Sequence, residues 1–327
     1  MILNSKRSML IKRSQLLQQL RAFFYARSVL EVDTPMLSAG TVPDVHLSSL
    51  KTLVHVPGER DLQTFYLPTS PEYPMKRLLC EGSGDIFYLG KVFRDGDLSP
   101  RHQVEFMMLE WYRLGFSMFE LMDEVATLIN SLLKQSLKIE RLSYQQAFAK
   151  YAGIKDIHTA SAETCHACLK QYGIPEIVGV EANDKALWEQ LVLTEVIESQ
   201  LGVQNEQPAM TILFHFPASQ ASLAQLSTEN SLVAERFEVF VSGMELANGY
   251  HELADPELYR ARFNESLKER QQLDFPSVPL DERLLTTLKN HPLPDCSGVA
   301  LGVDRLFALQ QGFDDIDLGI AFGLKAC

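Results

Sequence analysis

Apolar side chains recur at helical spacing near the start of the chain, with Leu10, Leu17, Leu20 and Phe24 on one stripe. This predicts an amphipathic helix from about Lys6 to Ala26. The period then shortens. "VLEVDTP" predicts a strand stopped by Pro35, and further short strands are predicted at "TFYL", "IFYLGKVF" and "FMMLEWY". A helical stretch is predicted from about Ser117 to Leu201, with turns near Gly153, Gly173 and Gly179. Strands return at "MTILFHF", "RFEVFVSGMEL" and "GVALGV", and a long charged helix, "DPELYRARFNESLKERQQL", lies between the last two. Strands at both ends around a helical insertion (117–201) predict an α+β fold. The expected form is one mainly antiparallel sheet flanked by helices, in a single domain spanning 1–327.

Composition narrows the class. The 46% hydrophobic share of 327 residues is enough for a large core. No stretch approaches the ~20 apolar residues of a membrane span. The N-terminus lacks the apolar region of a secretion signal, so a cytoplasmic protein is expected. The spacing C-H-A-C at Cys165 and Cys168 has no second pair at metal distance and falls in a segment that reads as a short helix, so a structural role is expected. With 30 Lys+Arg against 42 Asp+Glu, the net charge of −12 argues against a general nucleic-acid surface but leaves room for a local basic cleft.

Against that acidity, "VFRDGDLSPRHQVEF" sets Arg94, Arg101 and His102 on one hairpin loop. The planar fork of arginine suits phosphate or carboxylate, so the loop reads as a polyphosphate clamp or as a solvated tip. Glu110 and Tyr112, two residues apart, share a strand face with Val104, Phe106, Met108 and Leu114. A carboxylate there needs either a bound cation with an alkyl stem or an internal Lys or Arg. In "GMELANGYHEL", Asn248-Gly249 is a strong two-residue turn signal. A turn centred there sets Glu245 opposite Glu252 and Leu246 opposite His251. Two carboxylates ~5 Å apart would then require a metal, an ammonium group or a shared proton. "GVALGVDRLFAL" predicts a strand, an N-cap at Asp304 and a helix carrying Arg305 in its first turn. A cation at that end of a helix calls for an anion, either a bound phosphate or a neighbour such as Asp304 or Glu282.

The order of these signals is more specific than any one of them. A strand ending in Pro35, F-R followed by R-H-x-x-E-F, and G-V-D-R opening a helix resemble the three motifs of class II aminoacyl-tRNA synthetases, across nearly the whole chain. The likeness is greatest to the catalytic domain of lysyl-tRNA synthetase, through "PEYPMKRLL", "FRDGDLSPRHQVEFMMLEWY", "RFEVFVSGMELANGYHELADPE" and "GVALGVDRL". The resemblance implies that Arg94 and Arg305 act on the ATP phosphates as the catalytic pair. It implies further nucleotide contacts from Asp95, Gly96, His102, Gln103, Glu245, Leu246 and Gly302. Glu72, beside Ser70 and Pro71, would hold the amino group near the reacting carboxylate. Glu110 and Tyr112 would hold the distant side-chain ammonium. Glu245 and Glu252 would serve the Mg2+–ATP and amino-acid site.

The departures from lysyl-tRNA synthetase also carry information. The first helix begins within about ten residues of Met1, leaving no room for an anticodon-binding barrel. The expected F-R-x-E reads F-R-D-G, with Gly96 in place of the carboxylate. Ser70 stands where alanine is expected, and Gln225 where arginine is expected. Together these are similar to the lysyl-tRNA synthetase paralogues that modify translation elongation factor P. That likeness implies ATP-dependent activation of (R)-β-lysine, or lysine, and transfer to a lysine of elongation factor P. It also implies a homodimer formed through the first helix and "VLEVDTP", and no stable tRNA binding. Three alternatives stand beside it. They are a freestanding class II ligase using ammonia, a minimal lysyl-tRNA aminoacylator, and a regulatory subunit without catalysis. Glu110 with Tyr112 argues against the first, and the intact Arg94, Arg305, Glu245 and Glu252 against the last.

Overall fold

The computed structural model describes residues 2–133, 135–175, 177 and 179–327. In chain order the elements begin with α1 (Ile2–Tyr25), β1 (Leu30–Glu31), β2 (Lys51–Val54), β3 (Gln63–Tyr66), α2 (Glu72–Cys80), β4 (Ile86–Phe93) and β5 (Glu105–Leu114). There follow α3 (Met118–Leu132), β6 (Ile139–Ser143), α4 (Tyr144–Ala147), α5 (Ala162–Gln171), α6 (Lys185–Val192), β7 (Val203–Gln204) and β8 (Gln207–Pro208). The last are β9 (Met210–Phe214), β10 (Arg236–Val241), β11 (Met244–His251), α7 (Pro256–Gln272), α8 (Glu282–Asn290), β12 (Cys296–Gly302) and α9 (Val303–Gln311). They group into two units, Met1–Phe116 with Leu253–Cys327, and Ser117–Glu252.

In the first unit β4 and β5 form an antiparallel hairpin, β12 pairs antiparallel with β5, and β1 lies parallel to β4. Phe24 of α1 stacks on Phe87 at 4.7 Å and meets Trp111 edge-on at 5.2 Å, which seats the helix on this sheet. The buried stripe of α1 runs through Leu16, Leu20 and Phe24, while Leu10, expected on that stripe, is exposed. The strand expected over "VLEVDTP" is only β1, although the Val32 N–H still donates to Phe87 O. β2 and β3 form a separate two-stranded ribbon. α8, unmarked in the sequence reading, packs beside α2.

In the second unit β9, β10 and β11 are antiparallel, and β6 runs parallel to β9. The stretch expected to be wholly helical therefore contains a strand. Its helices bury Tyr144, Phe148, Trp188, Leu213, Phe216 and Phe240 in one cluster. Cys165 and Cys168 lie in that cluster, and burial pushes the Cys165 thiol up to about 11. The C-H-A-C spacing is thus part of a helix core, as its local sequence implied.

The turn between β10 and β11 corrects the expected one. It falls at Ser242 and Gly243, with φ of 52° and 68°, the left-handed pair a two-residue hairpin turn requires. Asn248 and Gly249 lie inside β11, opposite Glu238 and Phe237. Tertiary contact decides between the two turn signals. The N–H of Ser242 donates to Gly202 O, and that of Gly243 to Leu201 O. The Asn248 amide nitrogen donates to Glu238 Oε1 at 3.4 Å across the strand pair. No helix among the described residues is long and apolar enough to cross a membrane.

Candidate active site

The β4–β5 hairpin sets Tyr88 opposite Glu110 and Ile86 opposite Tyr112. Alternation brings Glu110 and Tyr112 to one face, and the Tyr112 hydroxyl donates to Glu110 Oε1 at 2.7 Å. The Ser70 hydroxyl donates to Glu110 Oε2 at 2.8 Å. Glu110 is 2% exposed. Burial, then the charge of Glu72, pushes its carboxyl up to about 8, against the two hydroxyl bonds and the charge of Lys76. Both carboxylate oxygens accept from hydroxyls, where an internal Lys or Arg bridge had been one expectation.

Ser70 also accepts the Glu72 N–H at 3.0 Å, which ties the start of α2 to Glu110. One helical turn later, Lys76 Nζ lies 2.6 Å from Glu72 Oε1 and 2.9 Å from the Tyr259 hydroxyl. Lys76 and Tyr259 were not marked as site residues in the sequence. Glu72 and Lys76 do stand at i, i+4, the spacing that pairs charges along a helix.

On the loop between β4 and β5, the Arg94 N–H donates to Val104 O at 2.9 Å, and its guanidinium lies 5.2 Å from the Phe106 ring centroid. His102 bonds Ser99 Oγ through Nδ1 at 2.8 Å, and Arg305 reaches its Nε2 at 2.6 Å. A guanidinium only donates, so Nε2 accepts and the proton sits on Nδ1. Arg305 Nε also donates to Arg101 O at 3.1 Å. The loop and the start of α9 thus bring Arg101, His102 and Arg305 together. Gln103 is buried, and its amide donates to Asp317 at 3.3 Å. The Asp95 N–H donates to Ser48 O, and Gly96 has φ of 85°. A carboxylate-bearing residue at Gly96 would be strained in that backbone.

The N-cap of α9 is Gly302, not Asp304 as expected. Asp304 is buried in the first turn and accepts from Arg13 at 2.5 Å and from the Met107 N–H at 2.7 Å. Arg260 holds Glu282 at 2.9 Å. The two carboxylates considered as local partners for Arg305 are therefore engaged elsewhere.

In the second unit the expected opposition of Glu245 and Glu252 fails, because the turn lies at Ser242 and Gly243, ahead of the expected Asn248 and Gly249. A bulge changes their relation. Phe240 pairs with Glu245 and Val239 with Ala247, leaving Leu246 as the extra residue. The extra residue rephases the strand, so Glu245 shares a face with Asn248 and Tyr250. Continued alternation puts Glu252 on that face too. Arg236 donates to Glu238 at 2.6 Å and to Gln220 O at 2.7 Å, with its guanidinium over Phe216. Burial pushes the Glu238 carboxyl up to about 7, opposed by Arg236 and reinforced by Glu245. Gln225, the other departure, groups with Glu235 and His251. Among the described residues no cluster of three or more His, Cys, Asp or Glu is arranged to hold a metal. Two carboxylates on one face still fit a hard cation that brings its own phosphate and water ligands.

The model of class II tRNA synthetases (D, K and N) matches residues 2–326. The chain belongs to this family. An elongation factor P–(R)-β-lysine ligase of Yersinia enterocolitica is 45% identical over 313 residues, covering 96% of this chain and 94% of the relative. The ligase of the same name from Avibacterium paragallinarum is 43% identical over 316 residues, 97% of this chain and 95% of that one. One from Proteus mirabilis is 44% identical over 313 residues, 96% and 94% of the two chains. The mainly antiparallel strand pairing with flanking helices agrees with the family's α+β class.

Proposed function

We propose that this class II synthetase-family chain activates (R)-β-lysine, or lysine, with ATP and transfers it to a lysine side chain of translation elongation factor P. The observation that carries the reading is Glu110, a buried carboxylate whose two oxygens are held by Ser70 and Tyr112 at 2.8 and 2.7 Å. Such a group, once ionised, favours a cationic side chain and disfavours a neutral one. Its relatives' names, each at 43% identity or more, point the same way.

In the first step the substrate carboxylate attacks the α-phosphorus of ATP. The bond to the bridging oxygen breaks, and pyrophosphate leaves with its electron pair. Arg94 and Arg305 bind the phosphates and offset the charge that develops. His102, Gln103, Asp95, Gly96, Leu246 and Gly302 shape the nucleotide site. Glu72 orients the substrate amino group, beside Ser70 and Pro71, and Tyr112 and Glu110 hold the far ammonium. Glu245 and Glu252 would hold Mg2+, which neutralises phosphate charge when bound. In the second step the deprotonated acceptor amine attacks the mixed-anhydride carbonyl, an amide forms, and AMP leaves. The amine's remaining extra proton passes to solvent. The protein works as a cytoplasmic homodimer without stable tRNA binding.

Elongation factor P and tRNA offered together, with labelled β-lysine and ATP, test the reading against a minimal tRNA aminoacylator. Label should reside on elongation factor P as an amide that survives mild base. Label found only on tRNA as an ester lost in base would overturn it.

A further inference from the structure

Glu72 and Glu110 are joined through Ser70, yet their surroundings differ in kind. The Ser70 hydroxyl accepts from the Glu72 N–H at 3.0 Å and donates to Glu110 at 2.8 Å. Glu110 receives hydroxyl hydrogens, whereas Glu72 has a resident cation in Lys76, 2.6 Å away. That ammonium is 0% exposed. It is held from the other side by the Tyr259 hydroxyl at 2.9 Å, with its charge 5.4 Å from the Tyr259 ring centroid. A buried ammonium is costly to keep unless it is paired and hydrogen-bonded, so its place beside one of two neighbouring carboxylates is consequential.

A diamino acid carries an ammonium at both ends, and only one orientation presents its carboxylate for reaction. Two equivalent acidic groups would not distinguish the ends. A counter-cation on one of them would. We propose that Lys76 is a positioning residue that fixes the direction of the Glu72 carboxyl, so that Glu72 receives the amino group near the reacting carboxylate while Glu110 takes the side-chain ammonium. The inference rests on the activity proposed above and adds the residue that gives the site its polarity. Without Lys76, the Glu72 carboxyl would lose the partner that fixes its direction, and the two acidic groups would no longer differ in kind. The other titratable groups around the pair are Tyr88 on β4, Tyr112 on β5, Tyr73 on α2 and Tyr259 on α7. Burial holds Tyr73 and Tyr88 neutral across the working range.

The test is lysine- and β-lysine-dependent pyrophosphate exchange by the full chain as Lys76→Met, which keeps the length of the side chain and removes its charge. At pH 7, kcat/KM for the amino acid should fall about tenfold or more, while the KM for ATP stays within about threefold of wild type. Tyr259→Phe, which leaves the ammonium but removes one of its anchors, should show a smaller loss with the same split between amino acid and ATP. If Lys76→Met does not fold, the Tyr259→Phe profile decides. A loss of equal size for the amino acid and for ATP, or no loss in either variant, overturns the proposal. A wild-type protein that exchanges with neither amino acid would instead sink the activity on which it rests.

Discussion

Arg305 donates to Nε2 of His102 at 2.6 Å. The bond joins the loop between β4 and β5 to the first turn of α9 and fixes the direction of a guanidinium proposed to bind phosphate. His102→Ala should let that guanidinium wander, with a cost near one hydrogen bond, about 1–2 kcal/mol, or roughly a tenfold rise in the KM for ATP. In the nucleotide-free protein, nitrogen NMR of His102 should show the proton on Nδ1. The opposite tautomer would contradict the bonding described here.

Glu110 should discriminate by charge. A substrate without a side-chain ammonium forgoes the charge-assisted hydrogen bond to Glu110 and sets an apolar tail against a polar group, at a cost of a few kcal/mol. Norleucine should therefore be activated at least about a hundredfold more poorly than lysine in pyrophosphate exchange. In Glu110→Gln the gap should narrow from both sides, as lysine activation drops and norleucine activation rises. Equal activation of both by the wild type would remove Glu110 from substrate recognition.

The same residue makes binding depend on protons. With its carboxyl pushed up to about 8, Glu110 is mostly protonated in the empty site at pH 7. An arriving ammonium favours the ionised form, so lysine binding should release protons near pH 7. Calorimetry in buffers of different ionisation enthalpy measures this, and norleucine should release none through this group. Stability follows the opposite course. The folded value lies above the ordinary 4.5, so the contribution of Glu110 is fully favourable below that pH and is lost as pH rises toward 8. The ligand-free Tm should decline across this window, and Glu110→Gln should flatten the decline.

These chemical consequences were unevenly legible in the sequence. The β4–β5 hairpin and the shared face of Glu110 and Tyr112 follow from two-residue alternation, and both are present. The Arg305–His102 contact spans 203 positions, a separation that no local pattern encodes. Asn248-Gly249 is the stronger hairpin signal by local propensity, yet Ser242-Gly243 turns because its backbone docks on Leu201 and Gly202. Lys76 lay within the segment quoted for the family resemblance. Its role became visible only with Tyr259, which is far away in sequence and close in space.

The dimer should be measurable directly. Leu10 and Ile11 are 41% and 48% exposed on α1, and β1 pairs with β4 through only two residues. Exposed apolar side chains on a helix and a short edge strand both call for cover, and a second copy supplies it in the proposed assembly. Sedimentation at micromolar concentration should give the mass of two chains. Leu10→Glu with Ile11→Lys should shift the protein toward monomer. A wild-type protein that sediments only as a monomer would rule out the proposed assembly.

The bulge at Leu246 gives the sharpest test of the acidic face in the second unit. A regular strand would place Glu245 and Glu252, seven residues apart, on opposite faces. The extra residue puts Glu245 on the face of Asn248 and Tyr250, and alternation carried one residue past β11 would bring Glu252 there too. Only then can two carboxylates serve one cation. Glu245→Gln keeps the side-chain shape and an oxygen ligand but removes one charge. If the pair holds magnesium, half-saturating magnesium for pyrophosphate exchange should rise about tenfold, and much of the lost rate should return at saturating metal. Cys165→Ala, in the helix core and outside the proposed cation site, should leave the magnesium dependence unchanged and serves as the control. A Glu245→Gln protein with the wild-type magnesium curve would show that the rephased face does not bind the cation, whatever its charge.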